Sequence, residues 1–470
     1  MIDGATMSMA DFATKQPELT GRRLLVVGAG KSGLAAARLA AEHGALVRIA
    51  DRADAPTLEA ALAPLNLPGI SAHPNGHPAS LADECDLIIL SPGVPSSIEL
   101  VQRARTLGVP VWSEIEFASR FVEGRIIGIT GSNGKSTVTT LLGSILRHAG
   151  IAGGTGGNLD TPLAALLAED SPEAIHVVEL SSFQLETIDK FRPQIAIIVN
   201  LAADHLDRHQ TFDNYADAKA RIFENQNGDQ TTILNADDRA SDRFRNATAG
   251  NVHTFSTTAE NSCGTFLSDD YVTLRTEQGT ERLFPVTAIT LPGDHNLSNV
   301  LCAALAARLV GVTADQIEQA VRNFSALSHR LQHVATVDGV RFFDDSKATN
   351  PAAVLPALSA FDTRSVHIII GGTDKGGDWD RLVDAIRHAS ARVYLIGRET
   401  DGLRKRLQEI DELTVSGTLD VAVGQAFAAA KRGETVLLSP GCASFDQFKG
   451  FEDRGEQFQA AVRRLEATDA

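Results

Sequence analysis

The glycine-rich stretch that precedes Lys135 is the part of the sequence with the clearest chemistry. Residues 128–137 read GITGSNGKST, which contains G-x-x-G-K-S. The common phosphate-binding loop has the longer spacing G-x-x-x-x-G-K-[ST], and Ile129 occupies the position of its first glycine. In such a loop, backbone N–H groups surround phosphate oxygens, the lysine adds positive charge, and a hydroxyl of Ser136 or Thr137 can reach Mg²⁺. The stretch therefore predicts a nucleotide-phosphate site, since a mere surface turn would leave the lysine without a role.

Candidate metal ligands follow two later strand-like runs. Glu179 ends the run HVVE, and Asp204 and His205 come shortly after IAIIVN. The carboxyl ends of parallel strands gather at one edge of a sheet, where α/β proteins bind their ligands. Carboxylates beside a phosphate loop suit Mg²⁺, which favours oxygen ligands and keeps several waters. These residues predict a Mg²⁺ site next to the phosphate loop.

A second glycine cluster lies near the N-terminus. Gly28, Gly30 and Gly33 fit G-x-G-x-x-G after the run LLVV, and Asp51 ends the next strand-like run. The pattern alone is typical of a dinucleotide site, with the acid on a ribose hydroxyl. Close packing of a helix on a strand would require similar glycines, so both interpretations stay open. The cluster more securely indicates anion binding at a helix N-terminus, which any nucleotide diphosphate could use.

These motifs belong to a chain in which strand-like and helix-like patterns alternate. After the phosphate loop, apolar residues recur at helical spacing, which predicts a helix that begins at Lys135: Val138, Leu141, Leu142, Ile145 and Leu146. The alternation predicts an α/β fold with parallel sheets. We expect three domains: a Rossmann-like domain over 1–118, a central P-loop-type ATPase domain over 119–326, and a second Rossmann-like domain over 327–470.

Composition narrows the class of protein. A chain of 470 residues is too long for one core, and 43% hydrophobic with 22% charged residues is typical of a soluble globular protein. No apolar run is long enough for a membrane span, and the first residues lack the features of a secretory signal, which predicts a cytoplasmic protein. A formal net charge of −16 opposes non-specific binding to nucleic acid. No heptad run requires more than a monomer.

The four cysteines give no sign of a metal cluster or a disulfide framework. Cys85, Cys263, Cys302 and Cys442 are widely separated and form no C-x-x-C pair. We therefore expect reduced, mostly buried thiols.

Eleven stretches resemble the Mur ligases. They are TGSNGKST, GGN (156–158), ELSSFQLE (179–186), NLAADHLDRH (200–209), YADAKARIFEN (215–225), LNADD (234–238), PGDHNLSN (292–299), SHRLQHV (328–334), DDSKATN (344–350), GGTDKGG (371–377) and SPGCASFDQFKGFEDRG (439–455). Within the family they look most like the bacterial ligase that joins D-glutamate to UDP-N-acetylmuramoyl-L-alanine in peptidoglycan precursor synthesis. The resemblance implies that ATP phosphorylates the substrate carboxylate and that glutamate attacks the acyl phosphate.

The resemblance also implies an ATP site and a metal site. The implied ATP residues are Gly131, Ser132, Asn133, Gly134, Lys135, Ser136, Thr137, Asn296, Asn299, Arg330 and Asp345. Two Mg²⁺ ions are implied, with the ligands Ser136, Glu179, His205 and Lys219, and Lys135, Lys219 and His205 are implied to be catalytic. Lys219 would carry CO₂ as a carbamate, which requires a neutral amine and hence a lowered pKa. Without the resemblance, Lys219 would be interpreted as a solvated lysine in a helix.

Two substrate sites follow from the same resemblance. The UDP-sugar residues would be Gly28, Gly30, Lys31, Ser32, Gly33, Asp51, Arg52, Gly93 and Asn158. The glutamate residues would be Thr349, Lys375, Ser444, Phe445 and Phe451. Because the glutamate residues all lie in the third predicted domain, we expect that domain to close on the others when substrates bind.

Four alternatives remain open from sequence alone. A nicotinamide-dependent dehydrogenase would explain only residues 24–51. A folylpolyglutamate synthase shares the ATP core and glutamate as acceptor, but it does not predict the first domain. A nucleotide-switch protein would bind ATP without ligation. A relative that adds L-glutamate would differ only in the geometry of its amino-acid site.

Overall fold

The computed structural model describes residues 16–159, 161–291, 293–324, 328–361, 364–374, 378–398 and 400–468. In this part of the chain the strands form three sheets of five, nine and six strands. The sheets follow one another along the sequence, and helices connect most of the strands. The predicted α/β class with three sheet-containing units is therefore confirmed.

The first sheet is parallel throughout, with the order β3-β2-β1-β4-β5. Its elements are β1 (Arg23–Val27), α1 (Lys31–Glu42), β2 (Leu46–Ala50), α2 (Ala55–Leu62), β3 (Ile70–His73), β4 (Leu87–Leu90), α3 (Glu99–Leu107), β5 (Val111–Ser113) and α4 (Glu114–Ser119). Alternate residues of β1 enter two different cores: Leu24 and Val26 pack with α1, whereas Leu25 and Val27 pack with α3. Both faces of the sheet are thus covered, which is why residues 24–27 of β1 are all apolar.

The second sheet has the order β14-β13-β12-β11-β10-β9-β6-β8-β7. Its elements are β6 (Arg125–Thr130), α5 (Lys135–His148), β7 (Thr155–Gly157), α6 (Leu163–Leu166), β8 (Ile175–Glu179), α7 (Ser182–Leu185), β9 (Ile195–Ile198), α8 (Leu206–His209), α9 (Phe212–Ala220), β10 (Thr231–Asn235), β11 (Asn251–Ser256), β12 (Gly264–Ser268), β13 (Tyr271–Thr276), β14 (Gly279–Pro285), α10 (Asp294–Leu309) and α11 (Ala314–Asn323). The predicted helix after the phosphate loop is confirmed, because α5 begins at Lys135 and buries all five periodic residues. β6 lies between β8 and β9, so the phosphate loop, Glu179 and the segment after β9 meet at one edge.

One edge of this sheet departs from the expected parallel arrangement. β12, β13 and β14 pair in antiparallel fashion. Asp269 and Asp270 both have positive φ values, 47° and 61°, and form the two-residue turn between β12 and β13. Such a turn matches the twist of a hairpin, but aspartate pairs give a weaker sequence signal for it than Asn-Gly.

The third sheet has the order β15-β16-β20-β17-β18-β19, with only β15 and β16 antiparallel. Its elements are β15 (Gln332–Val337), β16 (Val340–Asp344), α12 (Pro351–Ser359), β17 (Val366–Gly371), α13 (Trp379–Ala389), β18 (Arg392–Ile396), α14 (Thr400–Arg406), β19 (Leu413–Gly417), α15 (Leu419–Ala429), β20 (Thr435–Leu438) and α16 (Phe451–Thr468). Ile368 and Ile370 of β17 pack into one core and Ile369 into another, so helices cover both faces here as well.

The hydrophobic cores are distributed unevenly over the three sheets. One core contains residues of the first and second sheets together, including Trp112, Phe117, Ile126 and Phe191. The third sheet packs into two cores of its own. The first two sheets therefore form one packed body. The third has separate cores and contacts that body at the site described below, where Asn350 bonds to Asp204.

Disulfides and membrane-spanning helices are two further features to consider. No disulfide joins the four cysteines, all of which lie in described segments. Within the described ranges, we find no helix that combines the length and the apolar character needed to cross a membrane.

Candidate active site

The phosphate loop between β6 and α5 is built around two glycines with positive φ. Gly131 has a φ of 146° and Gly134 a φ of 80°. A Cβ atom on Gly134 would lie 2.4 Å from Oδ1 of Asn299 in α10, so a side chain fits neither the backbone nor the space. α5 begins directly afterwards, at Lys135. The unpaired N–H groups of its first turn and the loop form the arrangement that binds phosphate.

Asn200, which follows β9, holds the phosphate loop in shape. Its Oδ1 accepts a 2.9 Å hydrogen bond from the Asn133 N–H, and its Nδ2 donates one of 3.0 Å to the Asn133 carbonyl. The Ser132 hydroxyl donates to the carbonyl of Ala202 and accepts from its N–H, both at 2.8 Å. Asn200 is absent from the predicted site residues, although its place just after a buried strand is a signal that could have found it.

Lys135 lies inside the loop that it follows. Its Nζ donates hydrogen bonds of 2.9 Å to the Gly131 carbonyl and 2.7 Å to the Ser132 carbonyl. Burial lowers the pKa of Lys135, and the carboxylates of Glu179 and Asp204 oppose that shift. The loop geometry thus places this amine where nucleotide phosphates would meet the backbone N–H groups.

Glu179, the last residue of β8, is only 3% exposed. Its Oε1 accepts a 3.0 Å hydrogen bond from Asn158 Nδ2, whereas Oε2 is buried with no hydrogen-bond partner among the described residues. Burial raises the pKa of this carboxyl, but the Lys135 ammonium and hydrogen bonds outweigh burial, so the pKa lies below its ordinary value. An ionised carboxylate with a buried oxygen still available fits a Mg²⁺ ligand.

The other predicted acidic ligand, Asp204, is already engaged. Its Oδ2 accepts a 2.9 Å hydrogen bond from Asn350 Nδ2, and its Oδ1 accepts one of 2.9 Å from the His205 N–H. The His205 ring is 32% exposed, and its Nε2 lies 3.7 Å from Asp204 Oδ2. In the described segments, no three His, Cys, Asp or Glu side chains are grouped so as to hold a metal ion by themselves. A Mg²⁺ site would therefore need further oxygen atoms, such as those of a hydroxyl, a substrate or a modified lysine.

Lys219 in α9 is 2% exposed, so the interpretation as a solvated helix lysine is wrong. Its Nζ donates a 3.3 Å hydrogen bond to Thr130 Oγ1, at the end of β6, and lies 4.6 Å from the centre of the Tyr215 ring. Burial, and next the charge of Lys135, lower the pKa of Lys219 well below its ordinary value. This environment favours the neutral amine that reaction with CO₂ requires.

One cavity of about 730 Å³ joins the phosphate loop to residues of the third sheet. Its polar lining from the second sheet and its helices includes Ser132, Asn133, Lys135, Ser136, Thr137, Asn158, Glu179, Asp204, His205, Asn296 and Asn299. Its polar lining from later in the chain includes Arg330, Asp345, Lys347, Thr349, Asn350 and Arg381. Residues predicted for ATP from both parts of the chain therefore face the same space.

Asp345 and Lys347, on the later side of the cavity, both have shifted pKa values. Burial raises the pKa of Asp345 to about 7, although Ser439 Oγ and the Leu331 N–H donate hydrogen bonds to its carboxylate. Burial lowers the pKa of Lys347 to about 8, and its Nζ lies 3.8 Å from the centre of the Phe451 ring. Lys347 was not among the predicted site residues, although it lies within DDSKATN and adds a cation to a cavity expected to receive phosphates.

The residues predicted for glutamate are not gathered in this cavity. Thr349 lines it, but Ser444, Phe445 and Phe451 are not among its described lining residues. Ser444 is 2% exposed, Phe445 is 72% exposed, and the Phe451 carbonyl accepts a 2.8 Å hydrogen bond from Ser346 Oγ. Lys375 lies outside the described residues.

The N-terminal glycine cluster lies at the carboxyl end of β1. This strand lies between β2 and β4, where the strand order reverses and ligands of open α/β sheets usually bind. Ser91 Oγ donates a 3.0 Å hydrogen bond to the Gly28 carbonyl, so the loop after β4, which includes Gly93, meets the glycine loop. A Cβ atom on Gly33 would lie 1.9 Å from the Gly28 carbonyl oxygen, so close packing alone requires this glycine.

Asp51 has both of its carboxylate oxygens occupied. Oδ2 accepts a 2.7 Å hydrogen bond from the Ala29 N–H, and Oδ1 accepts one of 2.9 Å from the Ala53 N–H. It thereby shapes the glycine loop. Of the other residues predicted for the sugar nucleotide, Ser32 is half-buried and the following are exposed: Gly30, Lys31, Arg52, Gly93 and Asn158.

Comparisons with known proteins decide the family. Residues 22–113 match the N-terminal domain of MurD-like Mur ligases, residues 129–307 the Mur ligase middle domain, and residues 329–442 the Mur ligase glutamate ligase domain. The chain is 42% identical over 447 residues to the UDP-N-acetylmuramoylalanine--D-glutamate ligase of Acidobacterium capsulatum, over 95% of this chain and 97% of that relative. The chain belongs to the Mur ligase family.

Further Mur ligases agree with this assignment. The chain is 41% identical to the UDP-N-acetylmuramoylalanine--D-glutamate ligase of Koribacter versatilis, over 95% of this chain and 98% of the relative. Among solved structures, it resembles a pseudomurein peptide ligase type C from Methanothermus fervidus, with a TM-score of 0.60 and 18% identity over 95% of this chain and 100% of the other. A similar likeness holds for MurF from Acinetobacter baumannii, with a TM-score of 0.60 and 19% identity over 94% and 93% of the two chains. At such low identities the structural likeness supports the fold alone.

In this Mur ligase the predicted residues fall into three groups. The phosphate loop, Glu179, His205, Arg330 and Asp345 line one cavity. Lys219 is buried behind the loop at Thr130. Apart from Asn158, the sugar-nucleotide residues lie outside the lining of that cavity, as do most of the glutamate residues.

Proposed function

We propose that this protein is an ATP-dependent ligase that joins D-glutamate to UDP-N-acetylmuramoyl-L-alanine. The observation that carries this proposal is the shared cavity in which the phosphate loop faces Arg330, Asp345 and Lys347. The names of the relatives that cover nearly the whole chain supply the substrates.

The reaction needs ATP because a carboxylate is a poor electrophile. The alanyl carboxylate attacks the γ-phosphorus of ATP, which forms an acyl phosphate and releases ADP. The neutral amine of D-glutamate then attacks the carbonyl carbon, loses a proton and expels inorganic phosphate. Because all of the reactants are anionic, catalysis rests on positioning and on stabilisation of negative charge.

The residues of the cavity can be assigned roles in these steps. The N–H groups of residues 134–137 and the amine of Lys135 would bind the β- and γ-phosphates. Arg330 and Lys347 would add positive charge from the opposite wall, and Asn296, Asn299 and Asp345 would bind the adenosine. Asn200 holds the phosphate loop in place through its two hydrogen bonds to Asn133. The phosphate site would therefore be formed before ATP binds.

A Mg²⁺ site fits the residues present. Glu179 offers a buried oxygen with no hydrogen-bond partner among the described residues, and His205 and Ser136 line the same cavity. When bound, Mg²⁺ would neutralise charge on the phosphate oxygens. We further propose that the neutral amine of Lys219 attacks CO₂ and loses a proton, which converts a buried amine into a carbamate, a carboxylate-like oxygen donor. A second ion would use this donor.

We extend this proposal to the ligand of each predicted domain. Residues 1–118 would bind the sugar nucleotide, 119–326 ATP, and 327–470 glutamate, for which Thr349, Lys375, Ser444, Phe445 and Phe451 are the candidates. We propose a monomeric enzyme of the bacterial cytoplasm that binds no nucleic acid.

The test is phosphate release by the purified protein with ATP, Mg²⁺ and UDP-N-acetylmuramoyl-L-alanine. D-glutamate, L-glutamate and no amino acid are compared, and the ligated product is identified by mass. We expect release that depends on D-glutamate, and at least about a 100-fold lower kcat for Lys135→Ala. Lys190→Ala, at an exposed lysine of the same sheet unit, is the control and should match the wild-type protein.

Two results would change the conclusion. Release that depends on L-glutamate instead would keep the mechanism and replace the amino-acid substrate. Release that is independent of the sugar nucleotide would contradict the proposed function.

A further inference from the structure

We propose that Arg208 is a positioning residue that fixes the loop after β4, residues 91–96, against the segment that carries His205. This inference rests on the proposed function, because the 91–96 loop belongs to the expected sugar-nucleotide site and His205 to the expected metal site. Arg208 itself would contact neither substrate nor metal.

The guanidinium of Arg208 reaches from the second sheet unit to the first. Its Nη1 donates a 3.2 Å hydrogen bond to the carbonyl of Pro92, and its Nη2 donates one of 2.9 Å to Oε2 of Glu186. The side chains of Arg208 and Glu186 are only 18% and 17% exposed. An ion pair this well shielded from water, with a charge-assisted hydrogen bond, orients its partners more firmly than exposed pairs do.

The same carboxylate oxygen of Glu186 also receives a hydrogen bond from the first sheet unit. Ser96 Oγ donates to Glu186 Oε2 at 2.7 Å. The 91–96 loop is therefore held at both ends, at Pro92 by Arg208 and at Ser96 by Glu186. Because Ser91 Oγ bonds to the Gly28 carbonyl, this hold extends to the N-terminal glycine loop.

On its other side, Arg208 is linked to His205 through one aromatic ring. The Arg208 Cζ lies 3.9 Å from the centre of the Phe183 ring, and the His205 ring meets Phe183 edge-on with centroids 4.9 Å apart. Phe183 also stacks on His209, at 5.5 Å. His205 has a φ of 52°, a conformation that non-glycine residues adopt when their surroundings impose it. Phe183 and Arg208 are part of those surroundings.

Arg208 and its partners connect the 91–96 loop of the expected sugar-nucleotide site with His205 of the expected metal site. In the proposed reaction, a carboxylate held by the first sheet unit must meet a phosphate held by the loop after β6. An error of about 1 Å in such an approach can cost on the order of 100-fold in rate. Arg208 joins the two units where that distance is set, so its loss should weaken sugar-nucleotide binding and turnover without changing ATP binding.

The experiment compares Arg208→Ala, Arg208→Lys, Ser96→Ala and the double variant Arg208→Ala/Ser96→Ala with Arg243→Ala. Arg243 is a matched control because it also pairs with carboxylates, those of Asp213 and Asp217 at 2.7 Å, but within the second sheet unit. The dissociation constant of UDP-N-acetylmuramoyl-L-alanine is measured by calorimetry without ATP or Mg²⁺. KM for each substrate, kcat and the melting temperature are measured beside it.

We expect Arg208→Ala to raise the dissociation constant and KM of the sugar nucleotide about tenfold or more, since a charge-assisted contact is lost. Arg208→Lys should have a smaller effect, because lysine keeps the charge near Glu186 but lacks the fork that reaches two acceptors. The double variant should be affected less than the product of the single effects, because both bonds end on one oxygen of Glu186. KM for ATP and all properties of Arg243→Ala should stay at wild-type values.

An unchanged sugar-nucleotide dissociation constant in Arg208→Ala would overturn the proposal. A fall in melting temperature without that change would assign Arg208 a purely structural role. If Arg208→Ala does not fold, unchanged constants in both Arg208→Lys and Ser96→Ala overturn it instead. Wild-type protein that neither binds the sugar nucleotide nor releases phosphate refutes the proposed function as well, whereas an active wild-type enzyme with an unaffected Arg208→Ala refutes this proposal alone.

Discussion

At the scale of single residues, burial decides what the two lysines near the phosphate loop can do. Lys135 has backbone carbonyls of its own loop as partners, at 2.9 Å and 2.7 Å. Lys219 has a single hydroxyl at 3.3 Å and an aromatic ring, and burial lowers its pKa well below the ordinary value. The charge of Lys135 contributes to the lowered pKa of Lys219, because neighbouring ammonium groups disfavour each other's charge.

We predict that Lys219 carries a carbamate and that Lys219→Arg loses at least about 100-fold in kcat. Arginine stays protonated and cannot react with CO₂, so it leaves a cation where the wild-type enzyme has an anion. Because the pKa of Lys219 is lowered, the amine should remain reactive at neutral pH, and the carbamate should be lost as the pH falls. The carbamate signal in ¹³C NMR with labelled bicarbonate, and the rate with and without bicarbonate, measure both effects.

Lys190→Arg is the control for that experiment, because Lys190 is exposed in the same sheet unit. It should keep the wild-type rate and the carbamate signal. A Lys219→Arg variant with more than about a tenth of the wild-type kcat, or wild-type protein without a carbamate signal, would contradict the assignment.

At the scale of elements, α4 connects the first sheet to the second through two buried glutamates. Oε2 of Glu116 accepts hydrogen bonds from the N–H groups of Asp189, Lys190 and Phe191, at 2.8–3.0 Å. Glu114 has only one such bond: its Oε1 accepts from the Ala164 N–H at 2.7 Å. Its Oε2 is buried with no hydrogen-bond partner among the described residues. One helix thus places two buried carboxyls in the same interface, Glu116 with several hydrogen bonds and Glu114 with a single one.

We predict that Glu114 makes the stability of this interface depend on pH. Burial raises the pKa of Glu114 from 4.5 to about 7, although the hydrogen bond from the Ala164 N–H lowers it. Because the folded-state pKa lies above the unfolded one, the stability contributed by the neutral carboxyl is complete below about pH 4.5 and is lost as the pH rises to about 7. Glu114→Gln has no proton to lose. Over this range its free energy of unfolding should therefore gain on that of the wild-type protein by on the order of 3 kcal/mol.

Urea unfolding of both proteins at several pH values measures this gain. Glu59→Gln, at an exposed glutamate of α2, is the control and should follow the wild-type protein at every pH. A constant difference between Glu114→Gln and the wild-type protein across the range would show that Glu114 does not titrate on unfolding.

At the scale of the whole molecule, the third sheet unit is attached differently from the first two. The first and second units share a hydrophobic core, which gives them a common rigid body. The third has its own cores and meets the cavity through polar side chains, among them Asn350, which donates to Asp204 at 2.9 Å. A polar contact of this kind can open and close at small cost, whereas a shared apolar core cannot.

We predict that the third unit closes further when substrates bind. Small-angle scattering should show a smaller radius of gyration for the wild-type protein with the sugar nucleotide and a non-hydrolysable ATP analogue. Asn350→Asp should close less, because it keeps the side-chain oxygen that caps α12 but puts a carboxylate opposite Asp204. Asn323→Asp, at an exposed asparagine that bonds only within α11, should behave like the wild-type protein. An identical radius with and without substrates would rule out the closure.

Some residues of this site can be predicted from sequence motifs, and others cannot. The G-x-x-G-K-S loop, Glu179, Arg330 and Asp345 could be proposed from motifs, and the structure places them around one cavity. Asn200 and Lys347 lie inside quoted motifs but were not singled out, because a motif does not say which of its side chains turn inward. The hairpin strands β12–β14 were missed because half-exposed edge strands lack the continuous apolar runs of β6 or β17.

Local sequence patterns were enough to predict the alternation of strands and helices, the start of α5 at Lys135 and the phosphate loop. These depend on local causes: the period of apolar residues, and glycine at backbone conformations that other residues avoid. The folded structure was needed to show that Lys219 is buried and that both oxygens of Asp51 accept hydrogen bonds from backbone N–H groups nearby. It was also needed to show that Arg208 connects two sheet units. Asp204 and Asn350 are 146 residues apart and still form a hydrogen bond. Such contacts follow from how whole sheets pack, and the spacing of residues along the chain does not encode them.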